Sequence, residues 1–519
     1  MKILLVPLDD RPCNLYFPKI LPYKDEEVLI TPKSIMGNKK KSAKINELKL
    51  WIKENIIDCN YLVISLDTLI YGGLIPSRLH HTSLEELIFN LDFVKEIKTL
   101  NPKLKIFAYL TIMRTPNSNF NGEEPTYYAK YGKKIFRLGQ LLNKQKLNII
   151  NETENNELIT LKKLIPSKVI NDYIDRRKVN MQVLHHAYDM YTDGVFDYFY
   201  IPQDDSSPLG FTRIDQLEIK NYIKKDILLF PGADEVGMVM IARAINDYYK
   251  VNPKVYVHYA SSVGAFVIPS FEDRMIDLTI NAQIASIGAI RVESLLDADL
   301  VLMVNIGSEM LYFPTKEERI IPYDINRNLT EFISFINYAK SIGKLVGVAD
   351  VADPVYSDLE LVNLLYKHNL LLEIDGYAGW NTASNTVGTV LAEISILNIT
   401  NNKKSNKKFL IHRYYDDVGY CSYARTWTDI NAALARGYNE GKLDGKYGSC
   451  VAMTKEELMR HMSKTYPNIA KYVADVKVSS PWNRTFEMQF DIKYKNIKII
   501  NNLQSSSNIR FIFAKIFIL

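Results

Sequence analysis

Short apolar runs recur along the chain, and most of them end in acidic, arginine or amide residues. These runs cover residues 3–8, 61–66, 106–113, 198–202, 227–231, 255–258, 300–304, 345–349 and 370–374. They are rich in β-branched and aromatic residues and alternate little, which is typical of strands buried on both faces of a parallel sheet. Helical patterns lie between many of them, at residues 45–56, 83–100, 127–142, 235–249 and 330–341. This alternation predicts βαβ units and therefore an α/β fold.

At 519 residues the chain is longer than one ordinary domain, which holds about 100–200 residues. We expect two facing lobes with mainly parallel sheets flanked by helices, formed by residues 1–250 and 251–400, with a helical insertion near 150–195 in the first. An elaborated α/β barrel is the alternative. We expect residues 401–490 to form a smaller, mainly helical C-terminal part with a strand at 409–411. We assign no role to the tail at 491–519.

Composition excludes several classes of protein. The chain is 47% hydrophobic and 24% charged, and its net charge of +5 comes from scattered lysines, which gives no reason to expect a nucleic-acid partner. Four widely spaced cysteines form no C-x-x-C pair. The first apolar run is too short for a signal peptide, and no run reaches the ~18 residues of a membrane span. We therefore expect a cytoplasmic protein that does not bind membranes.

The segment that follows residues 370–374 has the composition of a pocket wall. It reads Asp375-Gly-Tyr-Ala-Gly-Trp-Asn, and in α/β proteins ligands bind beyond the carboxyl ends of the strands. We predict that Asp375 is a catalytic carboxylate and that Tyr377, Trp380 and Asn381 bind substrate, since glycines permit close approach and aromatic faces stack on sugars. A tight βα turn with Trp380 as core filler is the alternative.

Asp67 and Asp234 are the other predicted catalytic carboxylates. Asp67 follows residues 61–66 and precedes Tyr71 and Arg78, and a nearby arginine keeps an acid ionised. A structural salt bridge would give the same pattern. Asp234 follows residues 227–231, whereas Glu235 suits the amino end of the next helix.

Further candidates for substrate binding follow other runs. Adjacent acids on an extended segment point in different directions, so one member of each acidic pair is expected to face a cleft. A guanidinium group suits carboxylates and phosphates, so we expect an anionic or hydroxyl-rich substrate to be held by Arg11, Arg78, Arg114 and Arg413. The complete substrate-binding prediction is Asp10, Arg11, Tyr71, Arg78, Arg114, Asp205, Tyr377, Trp380, Asn381, His412 and Arg413. The acids could hold a divalent cation, but no calcium-loop or histidine-pair pattern appears, so we predict no metal and no other cofactor.

Motifs for nucleotide phosphates, dinucleotides and a serine nucleophile elbow do not occur in the sequence. A site rich in carboxylates, tyrosines and amides is typical of carbohydrate-processing clefts. We therefore predict a glycoside hydrolase acting on a small sugar or amino sugar, with Asp375 and either Asp67 or Asp234 as its carboxylate pair. A metal-dependent hydrolase using Asp9, Asp10, Asp67 or Asp205 and a non-catalytic sugar-binding module are the alternatives.

Four motifs carry a resemblance to a known family. They are V-P-L-D-D-R-P at 6–12, Y-G-G-L at 71–74, G-A-D-E-V-G at 232–237 and G-Y-A-G-W-N-T at 376–382. Together they make the chain similar to a family of bacterial proteins of about this length that is defined by a domain of unknown function. The resemblance spans most of residues 1 to about 490. It implies no particular reaction.

Overall fold

Two parallel sheets organise the chain in the computed structural model, which describes residues 1–225, 227–308 and 326–495. The strands are β1 (Lys2–Val6), β2 (Glu27–Ile30), β3 (Tyr61–Ser65), β4 (Lys105–Tyr109), β5 (Tyr198–Gln203), β6 (Leu228–Pro231), β7 (Lys254–Tyr259), β8 (Ile290–Arg291), β9 (Leu300–Asn305), β10 (Leu345–Asp350), β11 (Gly376–Ala378), β12 (Val473–Ser479) and β13 (Gln489–Tyr494). The first sheet has the order β2-β1-β3-β4-β5-β6, and the second has the order β11-β10-β9-β7-β8. An antiparallel pair, β12 and β13, belongs to the C-terminal part.

Helices cover both faces of the sheets. The longer ones are Ile45–Asn55, Leu84–Leu100, Tyr128–Lys146, Glu152–Leu164, Ser167–Thr192, Phe211–Tyr222, Val236–Tyr249, Ile276–Ser286, Leu329–Ser341, Leu359–Lys367, Ala383–Thr400, Lys403–Arg413 and Ser449–Thr465. Short helices are Pro12–Leu15, Phe17–Ile20, Leu66–Tyr71, Leu74–Ser77, Gly264–Phe266, Arg425–Trp427, Leu434–Arg436 and Pro467–Ala470. Wider π-type turns form Tyr414–Ala424 and Thr428–Ala433.

The two sheets share one hydrophobic core. Helix Val236–Tyr249 packs on the first sheet, helix Ala383–Thr400 packs on the second, and the two helices pack on each other. Leu5 of the first sheet and Leu302 of the second belong to the same buried cluster. This shared layer fixes the two halves against each other, so the loops that follow their strands meet at one place.

The predicted α/β class with parallel sheets is confirmed. All five predicted helices form, and Ser83 caps the second one by accepting a hydrogen bond from the Glu86 amide at 3.3 Å. The segment at 150–195 is helical and lies between β4 and β5. Across the described ranges the two sheets are separate, and they do not form the single barrel that was the alternative.

Two predicted strands are wrong. Residues 370–374 form turns after helix Leu359–Lys367, and the strand begins only at Gly376. Residues 409–411 belong to helix Lys403–Arg413. Phe409, Leu410 and Ile411 are all buried, and periodicity does not separate a helix that is buried all round from a strand. The short strands β2 and β8 and the β12–β13 hairpin had not been predicted.

Residues 496–519, which make up most of the predicted tail, lie outside the described residues. Among the helices that the structure does describe, none combines the length and hydrophobicity needed to cross a membrane.

Candidate active site

A cleft of about 440 Å³ lies where the loops after strands of both sheets meet the C-terminal part, and we call it the interlobe cleft. Its volume falls in the range of about 300–1,000 Å³ typical of ligand pockets. Phe120, Phe271, Tyr356 and Phe486 supply aromatic surface. The charged residues that line it are Arg11, Arg78, Arg114, Arg425, Arg484, Glu123, Asp204, Asp205, Asp234, Glu272, Asp429 and Glu440.

A bidentate ion pair joins the loops after β1 and β6. The two terminal nitrogens of Arg11 contact the two carboxylate oxygens of Asp234 at 2.9 and 2.5 Å, and its Nε donates to Asp9 at 2.8 Å. Burial raises the pKa of Asp234, and the Arg11 guanidinium opposes that shift. A guanidinium that uses both nitrogens on one carboxyl group requires the ionised form, so Arg11 holds Asp234 as a carboxylate.

Gly232 makes the turn that places Asp234. Its φ of +126° lies in a region that L residues rarely adopt, and a Cβ here would lie 2.1 Å from Oε1 of Glu235. Glycine is therefore required at the first position of the G-A-D-E-V-G motif.

The start of helix Ala383–Thr400 fixes the same acid from the second lobe. Nδ2 of Asn381 donates to Oδ2 of Asp234 at 3.2 Å, and the Asp234 amide donates to Oδ1 of Asn385 at 3.1 Å. Asn381 of the G-Y-A-G-W-N-T motif and Asn385 just beyond it therefore hold Asp234 in the cleft.

A network of arginines and acids forms the wall after β4 and β5. Arg114 contacts Glu123, Glu124 and Asp205 at 2.9, 2.8 and 2.8 Å. Arg78 contacts Glu124 at 3.1 Å and also pairs with Asp204. Since each of these guanidinium groups contacts several acids, both arginines are charge-compensated within the protein.

The neighbouring acids Asp204 and Asp205 differ in their proton affinity. Burial acts against ionisation of both, but Arg78 and Arg114 outweigh it at Asp204 and lower the pKa of that residue. At Asp205 burial prevails over Arg114 and raises the pKa to about 6. The side chain of Asp205 is also 29% exposed. One wall of the cleft therefore holds an ionised carboxylate beside a carboxyl group that exchanges its proton near neutral pH.

Trp482 joins the C-terminal part to the first lobe. The guanidinium groups of Arg11 and Arg484 lie 5.0 and 4.7 Å from the centroid of its indole ring. Its Nε1 donates to Oδ1 of Asp10 at 2.7 Å. Asp10 therefore faces this tryptophan and does not line the cleft, whereas the next residue, Arg11, lines it.

Asp375 lies outside the interlobe cleft. It precedes β11 instead of following a strand, so it sits at the amino edge of the second sheet. Lys340 and Lys403 each contact its carboxylate at 2.6 Å, and the Val346 amide donates to it at 2.8 Å. The expected position at the end of a strand is wrong because the apolar run before Asp375 is a buried turn.

Asp67 and Tyr71 are buried and do not line the cleft. Asp67 is 0% exposed, and its Oδ2 accepts a hydrogen bond from the Thr111 amide at 3.1 Å. Burial raises its pKa to about 7. The ring of Tyr71 packs on His80 with centroids 4.9 Å apart. Arg78 forms no ion pair with Asp67 and pairs instead with the acids of the cleft wall.

The aromatic residues near β11 belong to the core. Tyr377 is fully buried, and its hydroxyl donates to Asp350 at 3.0 Å. The ring of Trp380 packs edge-on against Phe17 at 5.5 Å. This packing agrees with the alternative in which Trp380 fills the core next to a tight turn. Neither ring lines the interlobe cleft.

His412 and Arg413 lie at the end of a helix and not after a strand. Neither residue lines the interlobe cleft, so the prediction that they reach it is wrong. Nε2 of His412 lies 3.2 Å from the carbonyl oxygen of Phe490, and burial lowers the pKa of this histidine well below its usual range. Arg413 pairs with Asp416 at 2.6 Å.

The sequence reasoning missed the residues that the C-terminal part brings to the cleft, among them Arg425, Asp429 and Arg484. The segment Pro481-Trp-Asn-Arg-Thr-Phe486 mixes aromatic, amide and arginine residues as the other clusters do. That composition was the available signal. Glu123 was also missed, although an acidic pair directly follows glycine there.

Within the residues that the structure covers, no group of three or more His, Cys, Asp and Glu side chains forms a metal-binding arrangement.

One solved structure with partial similarity is the GH1 β-glucosidase from Exiguobacterium antarcticum B7, which is 9% identical and matches over 70% of this chain and 87% of that chain with a TM-score of 0.14. A likeness this low carries no argument. No curated protein matches the sequence. A family model matches residues 3–491, and the chain therefore belongs to the family described as "Protein of unknown function (DUF4127)".

Proposed function

We propose that the protein is a carbohydrate-active hydrolase, and specifically a glycoside hydrolase that acts in the interlobe cleft with Asp205 and Asp234 as its carboxylate pair. Glycosidic bond cleavage needs a carboxylic acid that protonates the leaving oxygen and a carboxylate that acts as nucleophile or base. The single observation that carries the proposal is that one cleft holds a carboxyl group with a raised pKa and an arginine-paired carboxylate, in the loops after the neighbouring strands β5 and β6.

Asp205 is the proton donor in this proposal. Its pKa of about 6, raised by burial, keeps a useful fraction protonated near neutral pH. Arg114 contacts Oδ2 at 2.8 Å and orients the group. Asp234 is the second carboxylate, held ionised by Arg11.

The sheet register supports the pairing of these two acids. Gln203 of β5 is the register partner of Pro231 of β6, so Asp205 and Asp234 follow at similar distances beyond the same sheet edge. Neighbouring strands lie about 4.8 Å apart, and catalytic carboxyl groups of glycosidases lie about 5–10 Å apart. The negative charge of Asp204 also contributes to the raised pKa of Asp234, in line with their closeness.

The test is hydrolysis of a panel of aryl glycosides by the wild type, Asp205→Asn, Asp234→Asn and a matched control, Asp175→Asn. Asp175 is an aspartate with a 65% exposed side chain on helix Ser167–Thr192, away from the cleft lining. We expect each cleft variant to lose about 100-fold or more in kcat/KM and the control to keep its activity. NMR of the first-formed sugar anomer then assigns retention or inversion.

The pH profile is a second test. If Asp205 donates the proton, kcat/KM falls as the pH rises above about 6, and protonation of Asp234 lowers it on the acidic side. Activity of Asp205→Asn equal to that of the wild type contradicts the role of Asp205. Saturable sugar binding without product favours the sugar-binding module, and activity that a chelator abolishes favours the metal-dependent hydrolase.

A further inference from the structure

Arg425 differs from the other arginines of the interlobe cleft in its ionic partners. Arg11, Arg78, Arg114 and Arg484 each contact two or more carboxylates of the protein. Within residues 1–225, 227–308 and 326–495, no carboxylate oxygen lies within 4 Å of the Arg425 guanidinium, although this residue is only 6% exposed. A nearly buried guanidinium without a carboxylate partner is costly unless a ligand supplies the negative charge.

Backbone carbonyls hold the Arg425 guanidinium in place. One terminal nitrogen donates to the Val355 oxygen at 2.7 Å, and the other donates to the Phe486 oxygen at 3.2 Å. The group also lies over the ring of Tyr356, 4.5 Å from its centroid. Carbonyl oxygens and an aromatic face orient the side chain without cancelling its charge, and a guanidinium has five N–H donors to share. It is therefore a preorganised anion-binding group at the cleft surface.

The neighbouring acids limit the charge of the anion. Asp429 and Glu440 also line the cleft. Burial raises the pKa of Asp429, and Arg425 opposes that shift although it is beyond ion-pair distance. A dianionic phosphate would meet one guanidinium and two acids, whereas a monoanionic carboxylate matches the single positive charge.

We infer that Arg425 is a specificity residue that binds a carboxylate of the substrate, which makes the substrate class a sugar acid. This inference rests on the proposed function. It also replaces the earlier set of anion-binding arginines, because Arg11, Arg78 and Arg114 are already compensated and Arg413 lies outside the cleft.

The experiment is calorimetric titration of the full-length protein with three sugar acids, D-glucuronate, D-galacturonate and N-acetylmuramate. Their neutral counterparts, D-glucose, D-galactose and N-acetylglucosamine, serve as reference ligands, and D-glucose 6-phosphate is the dianionic arm. We expect at least one acid to bind about tenfold or more tightly than its counterpart, a difference of about 1.4 kcal/mol that one hydrogen bond to a charged group can supply. Glucose 6-phosphate should bind more weakly than that acid.

Arg425→Gln should abolish this preference, and Arg425→Lys, which keeps the charge, should retain part of it. The matched control is Arg436→Gln, because Arg436 is an exposed arginine of the C-terminal part that also donates to backbone carbonyls. The ratio of acid to neutral affinity is the readout because a purely structural defect lowers both affinities together. Arg425→Lys keeps the test valid if Arg425→Gln does not fold.

Four results would overturn the inference, and the first three concern the carboxylates and the neutral sugars. They are equal affinity of the wild type for acids and neutral sugars, failure of every sugar acid to bind the wild type at millimolar concentration, and an undiminished preference in Arg425→Gln. Tighter binding of the phosphate than of any carboxylate would also reject the sugar-acid class. The two proposals fail separately: hydrolysis of neutral glycosides without acid preference removes only the role of Arg425, and acid preference without hydrolysis removes only the enzyme.

Discussion

Replacing Asp67 with asparagine should flatten the pH dependence of local stability in the first lobe. The side chain is 0% exposed, and burial raises its pKa from 3.8 to about 7 against the opposing hydrogen bond from the Thr111 amide. Between these two pKa values the folded state binds more protons than the unfolded state. The free energy of unfolding therefore falls as the pH rises from about 4 to about 7.

The magnitude follows from the two pKa values. A difference of about three is worth about 4 kcal/mol at about 1.4 kcal/mol per pH unit, which is an upper limit for this one group. Asparagine does not titrate, so this contribution disappears in the variant. In the wild type the Thr111 amide donates a hydrogen bond to Asp67 at 3.1 Å, and the side-chain oxygen of asparagine can still accept it. The stability of the variant relative to the wild type should thus improve steadily between pH 4.5 and 7.5.

Native-state hydrogen exchange of the peptide that contains Asp67 is the assay, because a chain of 519 residues is not expected to unfold in one step. The opening free energy is compared at several pH values for the wild type, Asp67→Asn and the exposed control Asp175→Asn. Parallel curves for the wild type and Asp67→Asn would refute the reasoning. They would mean that Asp67 is ionised with an ordinary pKa and that burial does not govern it.

Three further substitutions test individual contacts of the fold, each by native-state hydrogen exchange of the peptide that contains the substituted residue. Trp482→Phe removes the Nε1 donor to Asp10, which leaves a buried carboxyl group with one bond fewer, and should cost about 1–3 kcal/mol; no loss would argue against the contact. Asp375→Asn removes the charge that two lysines contact at 2.6 Å and should cost about 1–3 kcal/mol at pH 7, a loss that high salt reduces. Gly232→Ala forces a Cβ onto a residue with φ of +126° and should cost at least about 2 kcal/mol, so wild-type stability would contradict the turn.

The candidate site was only partly predictable from local pattern. Arg11, Arg78, Arg114, Asp205, Asp234 and Asn381 were candidates, and all of them line the interlobe cleft. Most of these residues lie in loops beyond the carboxyl ends of strands, and parallel strands end at a common edge of the sheet. The rule that ligands bind at this edge therefore predicted them. Asp375 did not obey the rule because a buried turn imitates a strand in composition, and this moved the acid to the opposite edge.

The α/β class, the positions of most strands and helices, and the polar residues that follow the strands could all be inferred from the amino-acid sequence. These features depend on hydrophobic periodicity and on turn chemistry within a few residues. Which charged groups contact one another depends on the three-dimensional packing of the chain. Arg11 finds Asp234 across 223 positions, and Trp482 reaches Asp10 across 472. The same packing decided that Asp67 is sealed from solvent and that Arg425 faces the cleft without a carboxylate beside it in the part described. The pKa of a carboxyl group and the availability of a guanidinium depend on desolvation and on through-space charge, and these exist only once distant segments have packed together.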